Sequence, residues 1–231
     1  MKRIRPKDTE LLTKLSAFGK AYFSVADLER ILGFSRESLY VTLNRLVKAG
    51  VLKRLRKNVY VIFNELVDTE KIANELYFPC YLSFKSALSY YGILSQVPYM
   101  LIFATVKPSK KMKIGNFEAE FRHLKEDLFF GYILKDGKNI AEPEKALLDE
   151  LYMVARGEGR LDIEELDLRD IDKNKLKEYA KKFPGYVNRL VEKVNSYLGT
   201  TPITNEYRER IYWGKKTKNI SRKRGFPPRR G

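Results

Sequence analysis

Three amphipathic segments, each closed by a glycine, crowd into the first fifty residues and leave little choice of architecture there. Asp8 precedes Leu11, Leu12, Leu15 and Phe18, spaced one, three and three apart. That spacing is one helix face, capped by Asp8 and stopped at Gly19. Ala21, Tyr22 and Phe23 read as a short extended piece. Ser24 caps a second helix with Val25, Leu28, Ile31 and Leu32 inward, ended by Gly33. Ser35 caps a third, running from Arg36 to about Lys48 with Leu39, Leu43, Leu46 and Val47 inward, and Gly50 terminates it. Val51 to Leu55 and Val59 to Phe63 then read as strands around a hairpin turn at Arg56, Lys57 and Asn58.

Three short helices and a β-hairpin, with a tight Gly33-Phe34-Ser35 link before the third helix, form the order of a winged helix-turn-helix. At 100° per residue the third helix buries Leu39 and Leu43 and turns Glu37, Ser38, Val41, Asn44, Arg45 and Lys48 away, with Tyr40 on the flank. Side-chain chemistry assigns roles to that face. Asn44 suits an adenine edge, Arg45 a guanine, Val41 a thymine methyl, and Ser38 a base or a phosphate. Arg36 and Lys48 are placed for phosphates, and Arg54, Arg56 and Lys57 on the wing for a flanking groove or backbone.

The charge distribution agrees. The chain carries 45 Lys+Arg against 29 Asp+Glu, a formal +16 over 231 residues. Residues 1–63 hold +9, 64–160 hold −1, 161–213 hold 0 and 214–231 hold +8. Basic ends around a neutral middle are what a polyanion partner attracts through steering and counterion release. A single cysteine, Cys80, and a single histidine, His123, exclude an internal disulfide, a Cys-based zinc site and a multi-His metal centre. They also argue against a Ser–His–Asp triad. No apolar run approaches the roughly 18–20 residues of a membrane span, and no apolar signal region follows the basic start. The expected setting is a reducing cytoplasm, with no cofactor, metal or catalytic residue.

The middle reads as a small α/β module with antiparallel strands. Asp68 begins a helical stretch through Leu76, and Ser83 caps a helix with Phe84, Ala87, Leu88 and Tyr91 inward. Tyr99 to Val106 reads as a buried strand. Met112 to Ile114 and Phe117 to His123 form a hairpin over a Gly115-Asn116 turn, with Phe117, Ala119, Phe121 and His123 on the buried face. Glu142, Pro143, Glu144 and Lys145 start a helix whose apolar face is Leu147, Leu148, Leu151, Val154 and Ala155. Glu144 shares that stripe, which suggests a latch on the free amides of its own first turn; Asp149 points outward, within reach of Lys145 at i,i+4. The acids Glu118, Glu120, Asp127, Glu142 and Glu144, with Lys145, raise the alternative of a metal-dependent nucleic-acid-processing enzyme with a winged-helix targeting domain. A solvated strand face explains Glu118 and Glu120 more simply.

Two runs in this module, Tyr81 to Gly92 and Ile140 to Asp149, follow the winged helix and together resemble the AbiEi-type antitoxins of the AbiE abortive-infection systems, over roughly residues 8–155. The resemblance implies a repressor of its own operon that binds inverted repeats. It also implies opposition, in a type IV arrangement without a stable complex, to a nucleotidyltransferase toxin.

Beyond residue 160, Asp172 caps a helix with Leu176, Tyr179, Ala180 and Phe183 inward. Pro184-Gly185 breaks it, and Val187, Leu190, Val191, Val194 and Leu198 form the next stripe. Thr204 to Trp213 suggests one more helix. The tail bears Lys215, Lys216, Lys218, Arg222, Lys223 and Arg224, no acid, and the composition of a disordered phosphate-binding arm. The expected organisation is therefore α+β. It comprises a winged helix-turn-helix over 1–63, an α/β antitoxin-like domain over 64–160, a helical extension packed on it over 161–213, and a basic disordered tail over 214–231. The expected partners are double-stranded operator DNA with inverted repeats and a second copy in a homodimer, with no membrane.

Overall fold

A computed structural model describes residues 6–63 and 68–198. The chain begins with α1 (Pro6–Ala17), β1 (Phe23–Ser24), α2 (Val25–Leu32), α3 (Arg36–Lys48), β2 (Leu52–Arg56) and β3 (Val59–Ile62). The local chemistry that predicts α2 and α3 operates as expected. Ser24 and Asp27 form a reciprocal capping box, and Ser35 accepts the Ser38 amide. Gly33 sits at φ 67°, a left-handed conformation that ends α2 and re-aims the chain into α3. Leu15, Leu28, Leu39, Leu43 and Leu46 close a core over Tyr60 and Leu52 of the β1-β3-β2 sheet.

Two expectations for α1 change. Asp8 lies inside the helix, not before it, and Phe18 is exposed, not inward. Asp8 turns into the interior on the same face as Leu11, Leu12 and Leu15, and Phe18 lies past the end of the helix at Ala17.

The remainder comprises α4 (Thr69–Leu76), β4 (Cys80–Leu82), α5 (Phe84–Tyr90), β5 (Leu101–Thr105), β6 (Lys110–Ile114), β7 (Phe117–His123), β8 (Tyr132–Lys135), β9 (Lys138–Ala141), α6 (Pro143–Ala155), α7 (Lys173–Ala180) and α8 (Asn188–Tyr197). The six strands β4–β9 order as β6-β7-β5-β4-β9-β8. The sheet is mixed, not antiparallel throughout: β5 runs parallel to β7, and β4 parallel to β9. α6 crosses this sheet as the central helix, with α5, α7 and α8 packed around it. Its burial is continuous from Glu144 to Met153, so the expected single apolar stripe is replaced by a helix enclosed on all sides. The β6–β7 hairpin forms as expected, but Phe117 and His123 at its ends are exposed. His123 Nδ1 lies 3.2 Å from the Lys107 carbonyl at the surface.

The hairpin sheet of the first unit does not stand free. Leu55, Val59 and Val61 turn their side chains into the core of the second unit, while Leu52 and Tyr60 face the helices of the first. The Gly115 amide donates to the Leu55 carbonyl at 3.1 Å, fastening the β6–β7 turn to β2.

Candidate nucleic-acid interface

α3 presents a solvent face because its buried residues recur only at Leu39, Leu43 and Leu46. Arg36, Glu37, Ser38, Tyr40, Val41, Asn44 and Lys48 are all exposed, Val41 to 70%. Val41, Asn44 and Lys48 follow one another at three and four residues, a single exposed row flanked by Tyr40 and Glu37. Ser38 is tied into the cap, accepting the Ser35 hydroxyl at 3.0 Å, yet remains accessible. Arg36 opens the helix and Lys48 closes it, so cations bracket the row.

Arg45 departs from the expected outward position. Its Nη1 donates to both carboxylate oxygens of Asp8, at 2.6 and 2.7 Å. Asp8 is 2% exposed and the Arg45 side chain 35%. One arm of the guanidinium is thus committed to a buried acid on α1. The pair lies 37 residues apart in sequence, which is why helical spacing alone does not reveal it.

On the wing, Arg54 and Lys57 are exposed, with Arg54 Nε donating to the Arg56 carbonyl at 3.3 Å. Arg56 is half-buried, its guanidinium 2.8 Å from the Met112 sulfur of β6, so it braces the wing against the second unit. Asn58 at φ 64° makes the reversal and leaves Lys57 at the tip. The tail residues Lys215, Lys216, Lys218, Arg222, Lys223 and Arg224, and the expected helix over Thr204 to Trp213, lie outside the described residues.

The two acids of the α6 motif are structural in ways the wheel did not indicate. Glu144 is buried and accepts the Asp172 amide at 2.9 Å, latching the start of α7 in place of its own first turn. Asp149 does pair with Lys145, but both are fully buried rather than outward. Asp149 also accepts the Ser83 hydroxyl at 2.7 Å and the Tyr81 hydroxyl at 3.1 Å. Ser83 therefore serves α6 and makes no side-chain cap on α5. The Lys145 ammonium lies 5.0 Å from the ring centres of both Phe130 and Phe183. Burial pushes the Asp149 carboxyl up despite its three partners, and pulls the Lys145 ammonium down. Gly131 is required beside this pair: a Cβ there would come 3.0 Å from the Tyr179 ring and 3.1 Å from Lys145 Cγ.

Glu118 is exposed and Glu120 pairs with Arg122 at 3.3 Å. Among the described residues no group of three or more His, Cys, Asp or Glu side chains is arranged to hold a metal ion. Among the same residues no helix is long and apolar enough to cross a membrane.

Comparison with known proteins bears on both units. The crystal structure of the RV2827C protein from Mycobacterium tuberculosis aligns with a TM-score of 0.59 at 15% identity, covering 84% of this chain and 78% of that one. At that identity the likeness is one of fold. None of the curated proteins searched matches the chain. The family described as "Transcriptional regulator, AbiEi antitoxin" matches residues 10–62, which span most of α1, the α2–α3 turn and the wing. The segment that carries the exposed α3 row is thus similar to the AbiEi antitoxin family of transcriptional regulators over that stretch.

Proposed function

We propose that this protein is a cytoplasmic, sequence-specific double-stranded DNA-binding repressor. It acts by occluding its operator, without catalysis and without a cofactor. Two copies occupy inverted half-sites upstream of its own operon. It is the antitoxin of a type IV toxin–antitoxin system for abortive infection, countering a nucleotidyltransferase toxin with no stable complex between them.

The observation that carries the reading is the Val41–Asn44–Lys48 row, exposed on a helix whose opposite face is locked by three buried leucines. A helix presented this way fits the roughly 12 Å width of a major groove, with Asn44 and Val41 facing base edges. Lys57 at the wing tip and Arg36 at the helix start carry charge suited to phosphates. The family match of residues 10–62 supports regulation by the same segment. The autorepression, the toxin's chemistry and the absence of a stable complex rest on the resemblance alone.

A gel shift on the DNA upstream of its own gene, against a scrambled competitor, tests this. Asn44→Ala is expected to weaken specific binding by about 10- to 100-fold with non-specific binding unchanged. Equal binding of wild type and Asn44→Ala to both DNAs overturns the assignment of the recognition face.

A further inference from the structure

The two edges of the six-stranded sheet are treated differently. At one end, β6 carries Lys110, Lys111 and Lys113 and is fastened to the wing through the Gly115 amide. Charged side chains and a covering element are the usual protection of a strand edge. At the other end lies β8, whose four residues Tyr132, Ile133, Leu134 and Lys135 are all exposed, Ile133 to 43% and Leu134 to 75%. Nothing among the described residues covers this edge.

The phase of its free hydrogen-bonding groups follows from the pairing with β9. The Glu142 amide donates to the Gly131 carbonyl at 2.9 Å, and the register pairs Ile133 with Ile140 and Lys135 with Lys138. Hydrogen-bonded pairs alternate along an antiparallel ladder, so Gly131, Ile133 and Lys135 spend their main-chain groups on β9. Tyr132 and Leu134 direct theirs away from it, to the open side.

We propose that β8 is a self-association edge, on which two copies of this chain pair antiparallel about Ile133 and continue the sheet across a twofold axis. Tyr132 then faces Leu134 of the second copy, and the reverse. Four main-chain hydrogen bonds form, and every outward group of Tyr132 and Leu134 is used. Ile133 meets Ile133 of the second copy. Lys135 falls opposite Gly131, so no like charges are opposed. Centring the pair on Leu134 instead would bring Tyr132 against Asp136, whose φ of 53° in the β8–β9 turn bends it out of strand conformation. A strand of four residues is small beside the roughly 20–30 residues a side of a stable interface. Free chains therefore associate weakly, and two copies held on neighbouring half-sites pair through effective concentrations on the order of millimolar.

The inference deepens the reading of two copies on one operator, but its test uses the full-length chain without DNA. In the proposed register the two Ile133 residues form a non-hydrogen-bonded pair with Cα atoms about 4.5 Å apart. That lies within the roughly 4.4–6.8 Å span of a disulfide. The two Leu134 residues are displaced by about two positions along the strands, beyond that span. Under mild oxidation Ile133→Cys is expected to give a covalent dimer at least tenfold faster than Leu134→Cys. Wild type, whose lone Cys80 is buried, should give none. Leu134→Asp, with an unchanged melting temperature, should raise the dimer dissociation constant in sedimentation at least tenfold. The proposal is overturned if Ile133→Cys cross-links no faster than Leu134→Cys, as it would if β8 received a different protein. A chain that shifts operator DNA yet fails this test retains its DNA reading and loses the β8 edge.

Discussion

Arg45 is the residue at which two accounts of α3 make opposite predictions. As a reader of guanine it belongs to the interface. As the partner of Asp8 it belongs to the fold. Removing it by Arg45→Ala would leave a carboxylate 2% exposed without its Arg45 partner. Breaking a fully buried ion pair costs about 3–5 kcal/mol. Since a third of the Arg45 side chain meets solvent, screening discounts that to about 2 kcal/mol. In a chain of this size the melting temperature should fall by about 4–8 °C. Urea unfolding should show a lower midpoint at an unchanged slope.

The double variant Asp8→Leu with Arg45→Met separates the two accounts. Replacing both members of a buried pair by apolar side chains of similar volume is often neutral or stabilising, so most of the stability should return. If Arg45 acts only through Asp8, this variant should bind specific DNA within about threefold of wild type. A guanine-reading arginine is worth roughly 1–3 kcal/mol, or about 5- to 150-fold in affinity. A double variant as stable as wild type that loses tenfold or more in specific binding refutes the structural account. So does an Arg45→Ala variant with unaltered stability.

The other expectations concern the cap of α2, the enclosed pair on α6 and Cys80. Burial pushes the Asp27 carboxyl up, but Lys20 and the Ser24 hydroxyl and amide outweigh it and hold it at about 2, below its ordinary 3.8. Its contribution to stability is present above pH 3.8 and is lost as the pH falls towards about 2, so acid titration of Asp27→Ala should be flatter than wild type there. Asp149→Ala strands the Lys145 ammonium among Tyr81, Phe130 and Phe183 and should cost about 3–5 kcal/mol in chemical denaturation, whereas Asp149→Leu with Lys145→Met should recover most of it. Burial raises the Cys80 thiol to about 12 from 9.0. The folded state therefore holds a proton the unfolded chain releases, stability falls as pH rises above 9, and labelling by a thiol reagent at pH 8 should run at the rate of global unfolding.

How much of this was legible depends on the range of the interactions involved. α2 and α3 follow from contacts within a few residues: a capping serine, a 3.6-residue apolar period and a glycine at the end. The expected limits Arg36 and Lys48 for α3 match the structure. β8 and β9 carry one local hairpin signal, Asp136-Gly137 between them, with both residues at positive φ, but little strand patterning around it. Tyr132 to Leu134 lacks the alternation of a half-buried strand, because an edge strand exposed along its whole length has no inside and outside to alternate. β4 leaves no mark in the sequence because three residues buried throughout carry no period at all.

The site shows the same division, and α6 explains it best. A helical wheel assigns inside and outside on the premise that a helix has one covered face. α6 is covered on every side, so the premise fails and Asp149, placed outward by the wheel, is fully buried. The Lys145–Asp149 spacing still told correctly that the two would meet, since i,i+4 proximity is local whatever surrounds it. What spacing cannot convey is that Tyr81 and Ser83 arrive from β4 and its end to complete the carboxylate's bonding. The same holds for Arg45. Its direction from the α3 axis is a local property, but its availability to DNA depends on Asp8, which sits on another helix. The residues whose exposed placement survives, Arg36, Glu37, Ser38, Tyr40, Val41, Asn44, Lys48, Arg54 and Lys57, are those that no distant acid or apolar surface claims. An interface that reads DNA has to be assembled from side chains the fold has left unspent, and only the tertiary partners reveal which ones those are.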